Sequence, residues 1–214
     1  MDEGREPLLN ITILKNKKFK TSVIIGSILA FLITGIFFTL PIFLQMGFQY
    51  SAIKTGIALL PMTIALMIFA LIFAPLGSRF SPRALSQLGL VVMIFGALVL
   101  AQSLSNDLTI GDLIPGLALF GAGVGILTSQ ITNLSMSSVE KSLTTEASGI
   151  NNTLRQFGTA LGTAIVGSIL VSGFFLCIEK GIFSNEQLSE NTKIVATETL
   201  HKSIQKVEES PILP

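Results

Sequence analysis

Apolar residues in this chain are gathered into five long runs, and charges bound each run. No Asp, Glu, Lys or Arg stands between Lys20 and Lys54, Lys54 and Arg79, Arg83 and Asp107, Asp112 and Glu140, or Arg155 and Glu179. A helix needs about 20 residues to cross about 30 Å of hydrocarbon, so an apolar run of 18 or more reads as a membrane span. The runs predict five helices, at about 22–45, 56–77, 84–105, 113–137 and 157–178. Buried helices of a large soluble core are the alternative, but five such runs within 214 residues argue against it. A cleaved signal peptide fits poorly too. The first run exceeds the apolar region of such a peptide and follows a polar leader.

Composition agrees. Half the residues are hydrophobic and 13% are charged, against about 25% charged in a soluble domain. That excludes disorder, a nucleic-acid-binding surface and an ordinary soluble enzyme, and the net charge of +1 offers no electrostatic partner. Cys177 and His201 are the single residues of their types, so neither a disulfide framework nor a zinc-holding cluster can form within the chain. No metal or cofactor is expected.

The placement of charge predicts three regions and an orientation. Residues 1–20 form a basic leader, 21–178 a membrane domain and 179–214 a polar tail. The leader carries Arg5, Lys15, Lys17, Lys18 and Lys20, and basic segments stay cytoplasmic. Five crossings then put Lys54 outside, Arg79 and Arg83 inside, Asp107 and Asp112 outside, and Lys141 and Arg155 inside. The tail, with a short helix suggested by Leu200, Ile204 and Val207, falls outside. The chain is expected to be a multi-pass protein of the cell (inner) membrane.

Nineteen glycines need a reason in helices, because glycine costs about 1 kcal/mol there in water. In lipid, small residues let helix backbones approach closely. Gly121 and Gly125 form one GxxxG pair, and Gly158 and Gly162 another. They suit packing inside this bundle, a homodimer seam or a moving contact. Pro41, Pro61 and Pro75 fall inside spans, and Pro115 at the start of one. Each interior proline removes a backbone hydrogen bond.

No span holds an ionisable side chain in its interior. Proton relays in membranes usually show one, so titration cannot carry a proton through these five helices. The polar groups at depth are Thr34, Gln45, Gln102, Thr128, Ser129, Gln130 and Asn133. Gln45, Gln102, Gln130 and Asn133 are the candidates for lining a substrate cavity, and bonds to neighbouring helices are the alternative. No paired carboxylates and no Ser/His or His/Asp set lie within the spans, so an enzyme is not expected.

Three motifs point to one family. The loop APLGSRFSPRALSQLGL resembles the major facilitator signature G-x-L-x-D-R-x-G-x-R, with Gly77 upstream and Arg79 and Arg83 at its basic positions. Ser78 stands where the aspartate belongs and Ser81 replaces the glycine. The stretch Tyr50 to Pro61, YSAIKTGIALLP, is similar to a helix joint in fourteen-helix drug:proton antiporters of the EmrB/QacA type. The most specific match is EASGINNTLRQFGTALGTAI, Glu146 to Ile165, which resembles that family's segment entering the penultimate helix. The resemblance extends over nearly the whole hydrophobic region, about residues 10–178.

The resemblance implies an all-α membrane protein whose five helices correspond to helices nine to thirteen, an incomplete C-terminal half of a major facilitator bundle. It implies a truncated or split multidrug efflux antiporter that exports hydrophobic or cationic compounds by alternating access. Asn152, Arg155 and Gln156 would belong to the inner gate; read from the residues alone, Arg155 serves equally well as an anchor for a carboxylate or a lipid phosphate. The implied partners are the bilayer, a small hydrophobic or cationic substrate, and a separate N-terminal half or another copy. Alone, the chain is expected to lack coupled transport. A non-transporting membrane protein that binds or regulates a full-length transporter is the other reading.

Overall fold

The computed structural model describes the backbone of residues 11–103 and 109–184, and side chains at 13–103, 109–170, 172 and 173. The start of the leader, Asp107 and the polar tail from 185 lie outside the described residues. Five helices follow one another: α1 (Lys17–Gly47), α2 (Ala52–Leu76), α3 (Pro82–Ser103), α4 (Ile110–Met136) and α5 (Thr144–Ser184). Short 3-10 turns at Ile11–Lys15 and Lys141–Leu143 precede α1 and α5, and no strand occurs among the described residues. The chain divides into two compact units, residues 1–164 and 165–214. The first contains α1–α4 and the start of α5; the described part of the second is the remainder of α5.

Local chemistry sets the helix ends. The Asn16 side chain accepts from the backbone N–H groups of Lys18 at 3.0 Å and Phe19 at 3.4 Å, which satisfies two orphan donors of α1. Its amide also donates to the Ser138 carbonyl at 2.6 Å, tying the start of α1 to the α4–α5 connection. Between α1 and α2 the N–H groups of Phe48 and Tyr50 both reach the Leu44 carbonyl. That tight reversal puts Gln49 at φ 55°, a left-handed conformation. Ser51 caps α2, and the Lys54 ammonium lies 3.8 Å from the centre of the Tyr50 ring. At the head of α4 the Asp112 carboxylate accepts from the Thr109 N–H at 2.9 Å.

Four of the helices, α1 to α4, are long and apolar enough to cross a membrane. The fifth expected span, 157–178, falls within α5, whose side chains from 174 lie outside the described residues. The charge-free runs underestimate the helices. Lys17 to Lys20 are already helical, and α5 begins at Thr144, well before residue 157. Charge marks where a helix meets the polar interface, whereas hydrogen bonds and caps mark where it ends. Pro115 lies within α4 rather than at its start, and α1 and α2 also continue through Pro41, Pro61 and Pro75.

The bundle is inside-out relative to a soluble protein. Leu71 is 69% exposed, Val91 63% and Phe157 60%, as lipid-facing side chains would be. Burial concentrates on α4, where every residue from Phe120 to Leu127 is buried. Glycine makes this possible. A Cβ at Gly121 or Gly125 would overlap the carbonyls of Met62 or Leu66 on α2, and one at Gly123 would overlap the Met93 backbone on α3. From the other side, a Cβ at Gly96 would overlap the Phe120 backbone. So α4 packs backbone-to-backbone on α2 and α3 together. Leu40, Leu44, Ala58, Met62, Leu113 and Leu117 extend this core.

Candidate functional site

The helix pair α1–α5 meets in a second tight seam. The Ser27 hydroxyl lies 2.8 Å from the Leu154 carbonyl. A Cβ at Gly158 would overlap the Ser27 carbonyl, and one at Gly162 would come within 2.8 Å of the Phe31 carbonyl. Both GxxxG pairs therefore face helices of this chain. Ala147 and Ile150 continue the α5 seam and pack with Phe19 and Val23.

A cavity of about 260 Å³ lies where α1 and α5 approach α4, with Leu66 of α2 at its wall. On α4 it is lined by Val124, Thr128, Ile131 and Thr132, whose i, i+4, i+7, i+8 spacing is one face of a helix. On α5 it is lined by Asn151, Arg155, Gln156 and Thr159, and on α1 by Thr34 among apolar residues. The threonine hydroxyls donate to their own helices: Thr34 to Ala30 at 2.8 Å, Thr132 to Thr128 at 2.8 Å and Thr159 to Arg155 at 3.2 Å. Their lone pairs remain as acceptors toward the cavity, while Arg155, Asn151 and Gln156 supply donors. Among the described residues of the lining Arg155 is the single charge, and none is a carboxylate.

The four amides expected to line a cavity lie elsewhere. Gln45 and Gln102 are exposed near the far ends of α1 and α3. Gln130 is fully buried, and its amide donates to the Phe73 carbonyl at 2.6 Å. Asn133 donates to the Ala74 carbonyl at 2.8 Å. Phe73 and Ala74 lie in the last turn of α2, where helix carbonyls have no intrahelical partner. The pair thus closes the end of α2. Gly77 permits this, because a Cβ there would come within 2.5 Å of the Gln130 Oε1.

Of the gate candidates, Arg155 and Gln156 line the cavity, whereas Asn152, Arg79 and Arg83 are exposed outside that lining. Ser27, Thr132 and Thr159 were not singled out from the sequence. The four-residue spacing of Thr132 from Thr128, and of Thr159 from Arg155, is the signal that could have found the last two. No group of three or more His, Cys, Asp or Glu that could hold a metal occurs among the described residues.

Comparison with known proteins agrees with this architecture. The model of the Major Facilitator Superfamily matches residues 2–163. The chain is 31% identical over 167 residues to the methylenomycin A resistance protein of Bacillus subtilis, covering 78% of this chain and 36% of that protein. It is 31% identical over 176 residues to multidrug resistance protein 3 of Bacillus subtilis, covering 80% and 33%. It is 26% identical over 170 residues to a probable actinorhodin transporter of Streptomyces coelicolor, covering 78% and 29%. The chain spans about a third of the length of these curated relatives. No solved structure matches it. With four membrane-length helices and a family match over most of its length, this multi-pass membrane chain belongs to the major facilitator superfamily.

Proposed function

We propose that this chain forms part of the C-terminal bundle of a drug-efflux antiporter that works by alternating access. The observation that carries the reading is the cavity between α1, α4 and α5, apolar in its walls and furnished with threonine oxygens, two amides and one guanidinium. Such a lining suits a hydrophobic compound with a few polar groups. Arg155 gives a cationic compound no attraction here, so a carboxylate for such a compound would have to come from outside the described lining. The basic residues gather at the end holding the start of α1 and the α2–α3 and α4–α5 connections, which favours a cytoplasmic N-terminus in the inner membrane. The substrate cavity of such transporters lies between two halves, so the chain alone lacks coupled export, and a separate N-terminal half or another copy would complete it.

The test is dye efflux from vesicles containing only this chain, driven by a pH gradient. The expected result is no uncoupler-sensitive efflux. Robust efflux that survives Thr128→Val, Thr132→Val and Arg155→Ala would overturn the reading. A second reading is a non-transporting protein that associates with a full-length transporter. Co-purification with such a transporter, without efflux of its own, distinguishes it.

A further inference from the structure

A second concavity, separate in character from the cavity above, opens between the N-terminal ends of α1 and α3. It is a cleft of about 770 Å³ floored by α4. Lys17, Lys18 and Arg83 line it, and no carboxylate does among the described residues. All three cations sit in the first turn of a helix, and neither α1 nor α3 has an acidic residue in that turn. This inverts the usual arrangement. A helix N-terminus carries about half a positive charge and favours anionic side chains. Here two positive helix ends and three cations face one cleft without a counter-charge among the described residues of its lining. The floor is different: Ile25, Leu127, Ile131 and Leu134 are apolar and continue along the spans. The lining is cationic at the two helix ends, polar at Thr21, Ser22, Ser86 and Gln87, and apolar at Ile25 and along α4.

We propose that this cleft binds an anionic phospholipid, its phosphate held by Lys17, Lys18 and Arg83 and its acyl chain laid on Ile25 and Leu134. A free phosphate would use the cations alone and leave the apolar floor bare. Charge complementarity and the floor together favour the lipid. Basic residues near a membrane surface attract anionic lipid by about fivefold in affinity per residue, and three converge here.

The experiment uses the full chain in nanodiscs of phosphatidylcholine carrying a minor fraction of phosphatidylglycerol. The chain has no tryptophan, so Ile25→Trp introduces a single reporter in the cleft, and Val91→Trp one on the exposed face of α3. Phosphatidylglycerol with brominated acyl chains should quench the first reporter well beyond its bulk fraction and the second only in proportion to it. A triple change, Lys17→Gln, Lys18→Gln and Arg83→Gln, should reduce the enrichment about tenfold or more. The matched control, Lys15→Gln, Lys20→Gln and Lys141→Gln, removes as much charge outside the cleft and should leave most of it. Equal quenching at both reporters would overturn the proposal even if the triple variant failed to fold. Equal losses in both triple variants would overturn it by reducing the effect to diffuse surface charge. Displacement of the lipid by millimolar glycerol phosphate would overturn it by showing that the floor contributes nothing.

Discussion

The two faces of α4 are built on opposite principles. Toward α2 and α3 it offers glycines, and at Gly121, Gly123 and Gly125 its backbone meets theirs directly. Toward α1 and α5 it offers Val124, Thr128, Ile131 and Thr132, and a cavity remains. Both faces belong to one stretch of helix, so the contrast comes from side chains alone. Close-packed backbone fixes geometry because interiors deform little. A void lined by hydroxyls gives up packing and gains hydrogen-bonding capacity. The α2–α3–α4 side is thus the close-packed part, and in the proposed function ligand chemistry falls to the α1–α4–α5 side.

The largest expected effect breaks the close-packed side. Gly121→Val or Gly123→Val should destabilise the bundle by about 3 kcal/mol or more, because the collision is with backbone that cannot rotate away. Thermal unfolding in detergent would read this as a large fall in midpoint or loss of folded protein. Gln130→Leu comes next. It strands the Phe73 carbonyl and should cost about 1–3 kcal/mol. On the other face, Thr128→Val and Thr132→Val should change stability by less than about 0.5 kcal/mol while altering binding of a fluorescent drug. If they destabilise as much as Gln130→Leu, the contrast between the faces is wrong. The smallest effect sharpens the glycine argument: a Cβ at Gly149 meets nothing within 4 Å. Gly149→Ala should therefore stabilise the helix by about 0.5–1 kcal/mol.

Much of this arrangement can be read from the sequence, and the unread part has a physical cause. Charge spacing locates α1 to α4 because a charge cannot stay in hydrocarbon. It misses the first turn of α1 and the first three turns of α5, since Lys17 to Lys20 and many of the residues after Thr144 are polar yet helical. The pairs Gly121/Gly125 and Gly158/Gly162 stand out by their spacing. Gly89/Gly96 on α3 and Gly116/Gly123 on α4 are seven apart and line the α3–α4 seam; a search at seven would find them. The amides were harder. Gln130 and Asn133 share a polar character with Thr128 and Thr132, and only the position of the last turn of α2 decides which pair is used in packing. The cavity depends in the same way on where α5 crosses α1, at Ser27 and Gly158.

Cysteine accessibility tests the difference between the faces most directly. With Cys177→Ser as background, Gln130→Cys and Thr132→Cys would each be labelled in membranes with a charged maleimide, which reacts only with an accessible thiol. The account predicts ready labelling at Thr132→Cys and protection at Gln130→Cys. Equal labelling, or faster labelling at Gln130→Cys, would contradict it.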